Sequence, residues 1–164
     1  MSTAHQLVRE GLEMAKFCVN GYLQDLTDED LLKRPCEGAN HIAWQLGHLI
    51  SSEHQLINMV CPDSMPALPE GFTDSYTKET AGNDNAADFL KKDEYLALLN
   101  EQHEGMLAAL GKLSDEDMAK ESPEQIRDYA PSVGSTFNLI PSHLLMHSGQ
   151  WVILRRQMGR EAMF

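Results

Sequence analysis

Near the end of the chain, the run Ser142-His143-Leu144-Leu145-Met146-His147-Ser148-Gly149-Gln150-Trp151 places two histidines four residues apart. At about 100° per residue, His143 and His147 leave one helix face, one turn apart. Ile140, Leu144, Trp151, Leu154 and Met158 share roughly that face, so the pair points inward. A buried imidazole without a partner is costly to desolvate. The fold must therefore bring a second element against this face, and the spacing lets both imidazoles reach one metal ion. A third ligand would then come from elsewhere.

Three other stretches share the helical period. The first, Thr3 to Leu23, has Leu7, Met14, Phe17, Val19 and Leu23 among its apolar positions, with Ser2 or Thr3 as cap. The second begins near Asn40 and runs to Val60, where Cys61-Pro62 ends it. Its stripe is Ile42, Leu46, Leu49, Ile50, Leu56, Ile57 and Val60. The third covers Lys92 to Leu110, with Asp93 and Glu94 suited to its positive end. The last helix is predicted over Ser135 to Gly159, with Gly159 as its stop; Pro141 should kink it or delay its start.

Thr27 with Asp30 forms a capping-box pattern, and Leu113-Ser114-Asp115-Glu116-Asp117 echoes Leu26-Thr27-Asp28-Glu29-Asp30. The echo reads either as a repeat or as a second cap signal. Pro62 to Asp88 is rich in Pro, Gly, Asp, Ser and Asn, a long loop of the kind that often serves function. No strand signal stands out. The expectation is an all-α single domain over residues 1–164, a four-helix bundle with a long crossover loop between helices two and three.

Charge removes several functions. The formal net charge is -12 and the pI about 4.9, which disfavours phosphate-backbone binding, so no nucleic-acid partner is expected. Cys18, Cys36 and Cys61 lie far apart, without metal-type spacing; this fits inert thiols in a reducing cytoplasm. Neither a secretory signal nor a membrane span is visible, so no membrane partner is expected.

For the third ligand, spacing leaves His41 and His48 open, seven residues apart on one face of helix two, with His103 on helix three as a further candidate. His54 points elsewhere. The flank carrying His41 and His48 lies off the main apolar stripe, which suits a buried site only if helix two packs against neighbours on two sides. His41 reads better as a helix-start residue, and Trp44 and Trp151 as core anchors.

Asn40-His41-Ile42-Ala43-Trp44-Gln45-Leu46-Gly47-His48-Leu49, followed far downstream by His143-Leu144-Leu145-Met146-His147-Ser148-Gly149-Gln150, resembles the DinB-like superfamily of metal-binding four-helix bundles. Carried over by position, the resemblance implies a triad of His48, His143 and His147. This chain departs from its relatives at Ser148, where they commonly carry a histidine or a basic residue. Three imidazoles imply a divalent transition metal, zinc or nickel first and iron as an option, with an open position for water or substrate. The resemblance further implies either transfer of a small-molecule thiol to an electrophilic substrate or hydrolysis, with the 62–88 loop shaping the electrophile pocket. Gln45 and Gln150 are candidates to orient the ligands, and Tyr76 and Tyr129 are weaker candidates as donors to a developing charge. A noncatalytic metal- or ligand-binding module is the alternative. A homodimer is a further expectation.

Overall fold

A computed structural model describes residues 2–162. Its elements are α1 (Thr3–Leu23), α2 (Asp28–Leu31), α3 (Ile42–Val60), α4 (Lys92–Leu110), α5 (Asp115–Ala119) and α6 (Val133–Gln157). Among the described residues there is no strand, only an isolated antiparallel bridge between Glu121 and Ser132. No described helix is long and apolar enough to cross a membrane.

Local chemistry sets the helix ends. Thr27 with Asp30 opens α2 and Ser114 with Asp117 opens α5, both as reciprocal capping boxes, so the echoed segments are two caps of one design. Ser132 and Ser135 make a third box, which starts α6 at Val133 and not at the expected Ser135. The helix runs on through Pro141, so the proline does not delay the start. Pro141 lies against Gly11 of α1: a Cβ at Gly11 would sit 3.6 Å from its ring, ordinary contact.

Contacts between the long helices fix their directions. Gly11 meets Pro141, and the buried Arg155 bonds the Tyr22 carbonyl (2.7 Å) and pairs with Asp25, so α1 and α6 run parallel. His103 faces Glu13 at 3.5 Å, while Lys92 reaches the Leu26 carbonyl at 2.7 Å, so α4 opposes α1. Gln45 contacts Gln150 and Trp151, whereas His48 lies by His143, so α3 opposes α6. The order is thus up-down-down-up, and α3 packs between α4 and α6. This is the second neighbour that the flank of His41 and His48 needed.

Two consecutive parallel helices require a connection as long as a helix. A 19-residue helix is about 28 Å long, and residues 61–91 make the return in short 3-10 turns. Two glycines seat this crossover. A Cβ at Gly105 of α4 would lie 2.3 Å from Pro66 Cδ, and one at Gly47 of α3 would lie 2.2 Å from Tyr76 Cε1. Both distances are far below van der Waals contact, so any larger side chain at either position would have to displace the crossover.

Candidate metal centre

The histidines sort by what their two ring nitrogens touch. His5 engages Ser2 and the Leu113 carbonyl. His41 caps α3: its Nδ1 accepts from the Trp44 amide at 3.0 Å, and its Nε2 donates to the Asn83 carbonyl at 3.0 Å. His54 bonds Gln102 and Asn58. These three are satisfied by protein. His103 is buried on α4 beside Glu13, across the bundle from α6. Neither His41 nor His103 joins the His143–His147 pair.

His48 does. One ring nitrogen from each of His48, His143 and His147 lies within 4.8 Å of the other two, a spacing at which the three could share one ion. His143 and His147 approach at 3.2 Å between their Nε2 atoms, and the His48 ring lies 5.2 and 5.4 Å from theirs, centre to centre.

Gln45 decides which nitrogen of His147 is free. Its Oε1 accepts from Trp151 Nε1, which can only donate, at 2.8 Å, and its Nε2 donates to the Asn40 carbonyl at 2.6 Å and to Gln150 Oε1 at 3.2 Å. With the amide so oriented, the 3.0 Å contact to His147 Nδ1 must be a donation from the ring. His147 Nε2 therefore presents a lone pair to His143. Gln150, the other candidate to orient a ligand, reaches the cluster only through Gln45.

His48 is held differently. It is hydrogen-bonded to the Tyr76 backbone and stacks on Trp44, rings 5.1 Å apart and 8° from parallel. Tyr76 sits there because Gly47 leaves space for its ring and because its hydroxyl meets Tyr95 at 2.7 Å, both buried. Trp44 Nε1 in turn donates to Thr80 Oγ1 at 3.1 Å.

Burial favours neutral imidazoles. Desolvation first, then the neighbouring rings, push His143 and His147 down to about 4, and desolvation lowers His48 against the pull of the Tyr76 backbone. Neutral imidazoles are the donor type that a first-row divalent ion takes, and His143 would turn or change tautomer to give its lone pair. Ser148 is buried and donates to the Leu145 carbonyl at 3.0 Å, turned back on its own helix.

A cleft of about 400 Å³ opens beside His48 and His143. Ser52, Gln55 and Met59 continue the His48 face of α3, Leu139 lies a turn before His143, and Ile126 and Tyr129 close it from the segment before α6. The pocket wall expected from the 62–88 loop thus comes from residues 126–129; the loop contributes by fixing His48. Ser52 and Gln55 are not marked by any motif in the sequence; their i+4 and i+7 spacing from His48 is the signal that places them on its face.

Solved structures share this architecture. A conserved protein from Enterococcus faecalis superposes with a TM-score of 0.72 at 17% identity, covering 98% of this chain and 99% of its own. YfiT from Bacillus subtilis, described as a probable metal-dependent hydrolase with an unusual four-helix bundle topology, gives 0.66 at 18% identity, covering 98% and 91%. No curated protein sequence matches the chain. The family model of the DinB superfamily matches residues 19–151, most of the sequence, and the chain belongs to that superfamily.

Proposed function

We propose that this protein is a metal-dependent enzyme that activates a small nucleophile, a low-molecular-weight thiol ahead of water, against an electrophile seated in the cleft. His48, His143 and His147 are the ligands in this reading, with zinc or nickel the best-suited ions and iron next. The observation that carries it is the set of three imidazoles with one nitrogen each within 4.8 Å of the others, at the edge of an apolar cleft. A divalent ion held there lowers the pKa of a thiol or water that shares it, so that a nucleophile is available near neutral pH.

The surrounding residues favour the thiol. Among the described residues no carboxylate lines the cleft, so its walls offer no general base of the kind that water activation commonly uses. A thiol needs less help, because its own pKa is already near 8.5. The sulfur bonds to the electrophilic carbon, the leaving group departs with the bonding pair, and the thiol proton passes to solvent. Gln45 and the Tyr76 backbone hold the imidazoles in place. Hydrolysis is the second reading, supported by the description of YfiT.

The test has two stages. Elemental analysis of purified protein should find about one divalent ion per chain, lost in His147→Ala. A panel of thiols with monochlorobimane, run with and without that ion, should then show metal-dependent conjugation. Metal without turnover of thiol or ester substrates would reduce the protein to a binding module; no stoichiometric metal would end the reading.

A further inference from the structure

The lining of the cleft says what kind of molecule enters it. Leu56, Met59, Ile126, Leu139 and Tyr129 form an apolar wall, and Met59 and Tyr129 remain 45% and 59% exposed. A concave apolar surface left open to water usually serves a ligand. At about 400 Å³ it lies at the small end of ligand pockets and is too narrow for a helix, whose diameter is about 10 Å.

Charge is as informative as shape. Among the described residues the lining holds no lysine, arginine, aspartate or glutamate, so an ionic group would be desolvated without a partner. The chain's net charge of -12 adds a long-range field that disfavours anions. A cation would meet no carboxylate in the cleft, and a metal ion on the histidines would repel it. Two uncharged hydrogen-bonding side chains remain, Ser52 and Gln55. Neither bonds another side chain among the described residues. They stand one and two turns along α3 from His48, between the histidines and Met59.

We infer that the cleft binds an uncharged small molecule with an apolar or aromatic body, which packs on Leu56, Met59, Ile126, Leu139 and the Tyr129 ring while its polar group bonds Gln55 or Ser52. This deepens the proposed function by naming the electrophile's class, and rests on that reading only for the step that follows binding. Specificity then resides in residues 52–59 and 126–129, not in the histidines.

The probes are phenylacetamide and phenylacetate, which share a shape and differ in charge. Methyl NMR of chelator-treated protein should show phenylacetamide shifting the Met59, Ile126 and Leu139 signals, with phenylacetate at least tenfold weaker. Tyr129→Ala should weaken the amide several-fold. In Met59→Lys, a substitution at a position 45% exposed, the order should narrow or reverse as phenylacetate gains a partner. Equal binding of the two probes to the unsubstituted protein, or shifts confined to other surfaces, would overturn the inference. Because binding is read without metal, and metal content is measured on parallel samples, either idea can fail alone. Amide binding without any metal uptake sinks the enzyme reading and leaves the cleft; metal uptake without amide selectivity does the reverse.

Discussion

The two halves of the histidine cluster are built by different means. His147 is fixed inside the bundle, by an amide that belongs to α3 and is itself locked by Trp151, Asn40 and Gln150. His48 is fixed from outside, by a crossover segment that reaches the helix only because residue 47 has no side chain. The first half depends on hydrogen-bond donors finding an acceptor. The second depends on close approach of a loop. Packing and polar satisfaction are separate requirements, so each half should fail in its own way.

The largest effect is expected at Gly47. A methyl group there would lie within 2.3 Å of three Tyr76 ring atoms, a conflict that only movement of the crossover relieves. Gly47→Ala should cost about 3 kcal/mol in chemical denaturation, the upper end for overpacking. Because the loop carries the partner of His48, metal uptake should weaken as well, while the His143–His147 contact, followed by imidazole NMR, persists. Unchanged stability would show that the crossover does not bear on α3.

Gln45→Leu attacks the other half. It strands the Trp151 indole N–H and the His147 Nδ1–H, both buried. Each orphaned donor costs roughly 1–3 kcal/mol, so about 2–3 kcal/mol is expected in total after local relaxation. With His147 free to change tautomer, metal affinity should fall about 10- to 100-fold. Gln45→Glu keeps an acceptor for both donors and should restore part of the affinity, an outcome that a purely steric role for Gln45 would not give.

These two positions also show what could be read in the sequence. Gln45 is legible as a candidate orienting residue because it stands on the flank of helix two that carries His41 and His48, although the ring it holds is His147 on α6. The role of Gly47 is not legible, because the reason for it is Tyr76, a residue 29 positions away in a loop without periodicity. The long helices were legible to within a few residues, since their stripes and caps are local; α6 gained two residues from a serine pair whose reciprocal bonds composition does not announce. The pairing of His48 with α6 was left open by spacing alone, and the position-by-position resemblance supplied it. What decided it physically is that α3 has two buried flanks, and whether a helix has one neighbour or two is a property of topology.

Acid should separate the halves a third way. In protein stripped of metal, His143 and His147 are held neutral down to about 4, whereas unfolded histidine titrates near 6.5. Between those values the unfolded chain binds more protons, so stability falls as pH drops from 6.5 towards 4. Glu53 contributes the opposite slope. Buried and with Oε1 unpaired, it is pushed up to about 8 by desolvation, so the folded chain binds the extra proton and its stabilisation grows as pH falls from 8 towards 4.5. The informative quantity is therefore a difference between variants. His143→Gln should flatten the acid-side loss by on the order of 2 kcal/mol, and Glu53→Gln should steepen it. Identical slopes in all three proteins would show that these groups are not desolvated.

The smallest effect tests whether the loop holds His48 through its backbone alone. Tyr76→Phe removes the hydroxyl that meets Tyr95 but keeps the ring against Gly47 and the backbone group that bonds His48. Stability should drop by about 1 kcal/mol, because the buried Tyr95 hydroxyl loses one of its two partners and keeps only the Leu90 backbone. Metal affinity should not change by more than about twofold, since no atom touching the histidine is lost. If affinity instead falls as far as in Gly47→Ala, the Tyr76–Tyr95 bond and not the fit at Gly47 sets the loop's position, and the external half of the site would, like the internal one, depend on polar contacts.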